Sequence, residues 1–334
     1  MTSAIRAKKK IVVIGGGTGT SVVLSGLKKV YVDLTAIISM ADSGGSTGRL
    51  RDQFGFLPVG DLRQSLAALA RENDQSWIRD LLLYRFQQGE GLKGHNLGNL
   101  ILTALQDLSG STPKALDIAG KVFRLEGNIL PVTTDKVDLV IEYTDGSFVI
   151  GENNLNPCEE GGKAIKRVRL SPQAKLNPQA EKALCEADMI VAGPGDLYAS
   201  ILPNFVVKGM KKAMQETKAK IVYIENLMTR HTQTHGYTAK KHVDVVRKYM
   251  GRYPHVVIVN SEMIPDEVLK AYEEEKGYPV INDLKSQKDY KIIDGKFYSI
   301  ALTKANGADS IKRSLLVHDK VKLTECLLEL LPKV

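Results

Sequence analysis

The sequence predicts an α/β protein: an open, mainly parallel, Rossmann-like sheet with helices on both faces and a small antiparallel β insert. Three observations lead there. Short apolar runs rich in β-branched residues alternate with stretches of helical spacing, the pattern of repeated βαβ units. Each run ends in Gly, Asp or Asn, as strands do where they open into ligand loops. A glycine cluster, Gly15-Gly16-Gly17-Thr18-Gly19, stands between a strand-like run, Ile11 to Ile14, and a helix-like one carrying Val22, Val23, Leu24 and Leu27.

The elements follow in order. After the first strand and helix comes the strand Leu34 to Met40. Leu62 to Leu69 opens a helical region expected to run on through Trp77 to Tyr84. Further helices are expected from near Asn96 to about Leu108 and from Pro113 to Phe123. Two β-rich runs, Val137 to Tyr143 and Ser147 to Ile150, flank Thr144-Asp145-Gly146, a hairpin signal. Ile165 to Leu170 alternates apolar and basic residues and reads as a half-exposed strand. Parallel strands resume at Met189–Ala192, Ile221–Ile224 and Val256–Val259, separated by helices near Ala199–Gln215 and Ala239–Met250. Residues 1–10 read as a disordered basic lead, and 11–334 as a single domain with its β insert at about 130–172.

Composition narrows the function. The chain has 334 residues, of which 43% are hydrophobic and 25% charged, ordinary for a globular protein. No apolar run approaches the ~20 residues that span a bilayer. No signal-peptide core precedes Ile11, so the expectation is a cytoplasmic protein with no membrane insertion. The net charge of +8 comes from lysines scattered along the chain, without an aromatic-interleaved basic stripe; small anions rather than nucleic acid are the expected partners. Cys158, Cys185 and Cys326 are widely separated, which excludes a disulfide framework or a structural zinc site; Cys326 reads as a core residue of the last helix.

The strand–glycine–helix arrangement aims backbone N–H groups and a helix N-terminus at an anion. Gly16, Gly17, Thr18 and Gly19 are therefore the candidates to hold a phosphate or diphosphate. Thr20 stands where a third glycine would complete a dinucleotide fingerprint, so the imperfect motif still permits an NAD-dependent dehydrogenase, for which no hydride-chemistry His/Asp pair is recognisable; the Lys-Ser/Thr ending of a P-loop is missing, so ATP hydrolysis is not indicated. The plain alternative is a tight βα turn that binds nothing. Asp42 follows the turn at somewhat more than the usual ~20 residues for a ribose-binding acid; it also fits a base, a metal ligand or a loop cap. Ser43 and Gly44 add donors, and Arg49 and Arg51 add charge suited to phosphate. Asp61, with Gln64 three residues on, resembles a capping box.

His95, Asn96 and Asn99 gather two amides and an imidazole at a helix entrance. Gly193, Pro194, Gly195 and Asp196 form a second glycine loop, and Asn226 ends a later strand. His231 and His235 have the spacing of helical metal ligands but lie in a Thr-rich, loop-like stretch, so no metal is expected there. In an open parallel sheet these loops converge at one edge.

Taken together, Ile14 to Gly19, Asp42 to Arg51, Gly60 to Arg63, Gly94 to Asn99, Gly193 to Tyr198 and Asn226 to Thr229 resemble the YvcK/CofD-like family, in the family's order over residues 11 to about 320. The resemblance implies a Rossmann-like fold and one of two functions. The YvcK branch contains gluconeogenesis factors, cytoplasmic proteins needed for cell shape and wall synthesis on gluconeogenic carbon sources and associated with UDP-sugar binding. The CofD branch contains 2-phospho-lactate transferases of coenzyme F420 synthesis. Asp42 to Arg49 looks like the first branch; the second usually carries two aspartates there and a later Ser-Pro-Asp segment, both missing here. The main expectation is thus a regulatory protein binding a nucleotide sugar, with Asp42 and Asn226 on ribose or sugar hydroxyls and Tyr272 stacking on a base. The alternative is a phospholactyl transferase with Asp42 as its catalytic residue. No cofactor is established; a divalent cation and a homo-oligomer are compatible with either reading. Asp196 stands where relatives commonly carry Ser, so its carboxylate must turn from phosphate or meet a hydroxyl or cation.

Overall fold

The computed structural model describes residues 7–71, 76–155, 164–300 and 316–332. Seven parallel strands form the central sheet: β1 (Lys9–Gly15), β2 (Val32–Ile38), β3 (Asn128–Pro131), β7 (Met189–Ala192), β8 (Lys220–Ile224), β9 (Val256–Asn260) and β10 (Lys291–Gly295). Their spatial order is β10-β9-β8-β7-β1-β2-β3. The chain winds outward one way from β1 and the other way from β7, so the topological switch lies between these two strands, where an open α/β sheet leaves its crevice.

The three intervening strands make the insert. β4 (Asp138–Tyr143) pairs antiparallel with β5 (Phe148–Ile150) through the expected Asp145-Gly146 turn and with β6 (Ile165–Ser171) on its other side. Asn128–Pro131 belongs to the main sheet, so the antiparallel sheet starts at Asp138. β11 (Tyr298–Ile300) and β12 (Leu316–His318) form a separate antiparallel pair.

Helices cover both faces. α1 (Gly17–Leu27), α2 (Gly45–Phe54), α3 (Gly60–Leu69), α4 (Ser76–Leu83), α5 (Leu97–Ser109) and α6 (Thr112–Val122) precede β3. α7 (Pro178–Glu186), α8 (Leu202–Phe205), α9 (Met210–Glu216), α10 (Ala239–Met250), α11 (Asp266–Glu273) and α12 (Lys320–Leu330) follow the insert. Along β1, Ile11 and Val13 pack with Leu24, Leu27, Leu66 and Leu327, while Val12 and Ile14 pack with Leu184, Met210, Val243 and the insert residues Leu139 and Ile141. Alternate side chains of a strand point to opposite faces, and here both faces are core, which is why the run Ile11–Ile14 is uninterruptedly apolar. In α10, Ala239, Val243, Val246 and Met250 are buried at helical spacing; Thr238 caps the start by accepting from the Lys241 N–H, and Gly251 ends it in the left-handed region.

Three expectations need correction. β1 begins at Lys9, so Lys9 and Lys10 belong to the sheet; the Lys10 N–H donates to Asp188 at 2.8 Å. Residues 1–6 of the expected lead lie outside the described residues, as does Cys158. The helix expected over 62–84 is two helices: α3 stops at Leu69, and Ala70 turns into an isolated bridge with Leu125. The helix expected over Ala199–Gln215 is three pieces. A π-helical turn, Leu197–Ile201, leads into α8 with Pro203 near its start, and Gly209, at φ +101°, separates α8 from α9. Proline and a left-handed glycine forbid one continuous ladder there. Among the described residues no helix is long and apolar enough to cross a membrane.

Candidate functional site

Parallel pairing brings the loops after β1, β2, β7, β8 and β9 to one edge of the sheet in neighbouring positions. At the switch point the loops after β1 and β7 touch. A Cβ on Gly19 would run into the Pro194 carbonyl, and one on Gly195 would lie 3.4 Å from the Gly16 carbonyl oxygen. Glycine is required twice over for backbone conformation, at Gly17 (φ +68°) and Gly193 (φ +79°). Thr20, fully buried, turns its hydroxyl back to accept from the Gly16 N–H at 3.0 Å. That amide is therefore committed, and Gly17, exposed Thr18 and Gly19 remain as the open end of α1.

Asp61 lies at this open end. Sequence reasoning read it as a capping residue of its own helix, yet α3 begins without a side-chain cap. Its carboxyl instead accepts from the Gly17 N–H, in the position a bound anion would take. Asp-x-x-Gln spacing is the same whichever way the carboxyl points, so sequence could not separate the two roles.

Three more acids surround it. Asp42, half-buried, closes its own loop by accepting from the Gly44 N–H at 2.8 Å, and its other oxygen faces Gly60. Glu152 enters from the insert. Its N–H donates to Ser43 Oγ at 3.1 Å, and its carboxyl hydrogen-bonds Asp42. Nothing in the sequence flagged Glu152, because the hairpin that delivers it is remote from every motif. Asp196 completes the group and resolves its own difficulty by pairing with Arg230 at 3.1 Å. Burial, and then the Asp42 charge, push Asp61 up to about 8 and Glu152 up to about 10. Both carboxyls are therefore protonated donors at neutral pH. Among the described residues no group of three or more His, Cys, Asp or Glu has the arrangement of a metal site, the acids and the His231–His235 pair included.

Asn226 reaches the same place from β8. Its Oδ1 accepts from the Gly195 N–H at 3.1 Å, so this oxygen holds the second glycine loop. Beneath it, buried Glu225 accepts from the Asn226 N–H at 2.8 Å and from the Tyr223 hydroxyl at 3.3 Å. Burial holds the Glu225 carboxyl well above its ordinary range and pushes the neighbouring His242 and His318 down to about 4. Asn204, also missed, ties the π-helical turn to the end of β1, donating to Gly15 and Ser200 carbonyls at 3.3 and 2.8 Å.

The remaining candidates sit differently. His95, Asn96 and Asn99 are 7%, 0% and 2% exposed and bond to the protein. His95 Nδ1 pairs with Ser46 Oγ at 3.1 Å; Asn96 caps α5 and donates to the Leu83 carbonyl at 2.9 Å; Asn99 Nδ2 donates to Ser46 and Thr47. They fasten α2 to α5 behind the rim. Arg49 is exposed and reaches the Lys93 carbonyl at 3.5 Å, whereas Arg51 is committed to Asp52 and Asp138. Tyr272 packs beside Leu227, Ile264 and Tyr298, and its hydroxyl accepts from the Leu316 N–H at 2.9 Å.

Comparison with known proteins follows the same lines. Residues 11–298 match the family described as 2-phospho-L-lactate transferase CofD. The gluconeogenesis factor of Bacillus subtilis is 40% identical over 97% of this chain and 98% of that protein; the gluconeogenesis factor of Halalkalibacterium halodurans is 41% identical over 83% and 85%. The crystal structure of protein BH3568 from Bacillus halodurans superposes with a TM-score of 0.87 at 37% identity, covering 96% of this chain and 99% of that one; a second structure of it, with a TM-score of 0.86, is described as a member of the UPF0052 family. The chain belongs to the CofD/YvcK family, on the branch whose curated members are called gluconeogenesis factors.

Proposed function

We propose that this chain is a gluconeogenesis factor that binds a nucleotide sugar, a UDP-sugar, across the β1–β7 crevice, and that it works in the cytoplasm by binding rather than by turnover. The observation that carries this reading is the meeting of two glycine loops at the N-terminus of α1, with the Gly17 amide already engaged by a carboxyl. A diphosphate would take over that amide. Asp61, protonated below about pH 8, would then donate to a phosphate oxygen instead of repelling it. Asn226 Nδ2 and Asp42 would meet ribose or sugar hydroxyls. Support for cell shape and wall synthesis would follow from sensing such a ligand.

The test is calorimetry with UDP-N-acetylglucosamine across pH. Binding should be present near neutral pH and weaken as pH rises through about 8, where Asp61 ionises beside the phosphate. Absence of heat at millimolar ligand at every pH would end this reading. The second reading, a phospholactyl transferase, draws on the name of the matched family and on the carboxyls Asp42, Asp61 and Glu152, one of which could orient an acceptor hydroxyl. Turnover of a deazaflavin acceptor with activated phospholactate would establish it.

A further inference from the structure

A cleft of about 320 Å³ opens between β6, the π-helical turn and α10, with none of residues 15–19 or 193–196 in its lining. Ile165 and Lys166 line it from β6, Tyr198 from the turn, and Tyr237, Lys241 and Lys248 from α10 and its approach. Two tyrosine bridges hold the walls at this spacing. The Tyr249 hydroxyl accepts from the Val168 N–H of β6 at 2.9 Å, and the Tyr198 and Tyr237 hydroxyls pair at 3.0 Å.

The charge in the cleft is one-sided. Lys166 is paired with Glu142 at 3.0 Å, and the one lining acid, Asp244, is paired with Lys240 at 2.6 Å. Lys241 and Lys248 make no salt bridge among the described residues; each ammonium lies over a tyrosine ring, Tyr237 at 5.7 Å and Tyr249 at 5.6 Å. They are two helical turns apart on one side of α10, about 10 Å along its axis, with Asp244 between them held by Lys240, and their flexible four-carbon stems can swing toward one anion. Paired cations beside aromatic rings suit a phosphate attached to a planar or apolar body. The volume is at the small end of ligand cavities, ~300–1,000 Å³, and fits something of mononucleotide size.

We propose that this cleft is a second ligand site, taking a small phosphorylated metabolite with its phosphate between Lys241 and Lys248. The site does not depend on what the glycine crevice binds. Its occupant would touch Tyr198, whose turn starts at the Asp196 carbonyl that accepts the Ser200 and Ile201 N–H groups, so it would rest on the segment that carries the second glycine loop.

The probe is AMP, read by lysine acetylation and mass spectrometry on the full chain. AMP should protect Lys241 and Lys248 several-fold and leave exposed Lys212 unchanged. The double variant Lys241→Gln, Lys248→Gln should bind AMP about tenfold or more weakly in calorimetry, while Gly19→Ala, which disturbs the crevice, should leave the protection of both lysines intact. Equal labelling with and without AMP, equal protection by sodium sulfate at matched ionic strength, or unchanged affinity in the double variant would each overturn the proposal. Loss of UDP-N-acetylglucosamine binding alone would bear only on the crevice.

Discussion

The loop after β2 and the first turn of α2 that follows it each carry a polar cluster, and the two are built oppositely. In the helical turn, Ser46 and Thr47 join His95, Asn96 and Asn99 in a network of neutral groups that bond one another, only Asn99 Oδ1 lacking a partner. In the loop, Asp42 and Ser43 join Asp61 and Glu152, two carboxyls whose proton affinity is raised by burial and by the Asp42 charge beside them. Neutral buried groups that bond one another make scaffold. Carboxyls crowded and buried at a crevice, whose ionisation is penalised, cost stability and persist where something else needs them. The difference teaches which polar residues to assign to ligand, and it can be broken by experiment.

The largest effect should come from the contact between the two glycine loops beside the acidic cluster. Gly19→Ala forces a Cβ against the Pro194 carbonyl, a backbone atom that cannot rotate away. The expected loss is about 1–3 kcal/mol in urea unfolding, with the crevice ligand lost as well. Asp61→Asn comes next and should act in the opposite direction. Asp61 binds its proton more tightly folded than unfolded, so the wild type holds this contribution in full below about pH 4 and loses it as pH rises to about 8. The amide has no proton to lose and still accepts from Gly17. Thermal unfolding should find the variant equal to wild type near pH 4 and more stable above pH 8; equality at high pH would remove the conflict on which the contrast rests.

Asn96→Ala should cost about 1–2 kcal/mol through the lost cap and the bond to Leu83. UDP-N-acetylglucosamine affinity should stay unchanged; a loss of affinity without a loss of stability would move the amide cluster into the site. Arg230→Gln should be smallest. Its pair with Asp196 is half-exposed, worth under about 1 kcal/mol, and the change should appear as weaker ligand binding that salt attenuates.

Much of the frame was legible from sequence because it rests on local periodicity. The apolar runs of β1, β7, β8 and β9, the Asp145-Gly146 hairpin and the limits of α10 each follow from residues adjacent in the chain. The glycine loops were legible for the same reason. What escaped depends on approach from a distance. Asp61 crosses from α3 to α1, Glu152 arrives with the insert, and Arg230 answers Asp196 from beyond β8. His95, Asn96 and Asn99 looked like ligand groups because polarity is visible in sequence, whereas its satisfaction by Ser46 and Leu83 is not.

The neighbour of β1 on the crevice side is β7, with Ile11 set against Met189 and Val13 against Val191. During synthesis, the first glycine loop leaves the ribosome long before the strand that completes its cleft. Until Met189–Ala192 arrive, that flank of β1 is an apolar edge with unpaired amides, a surface that invites pairing with the wrong chain. Nascent chains ending before β7 should therefore depend on chaperones and bind no crevice ligand, and both dependences should vanish together once β7 and its loop have emerged.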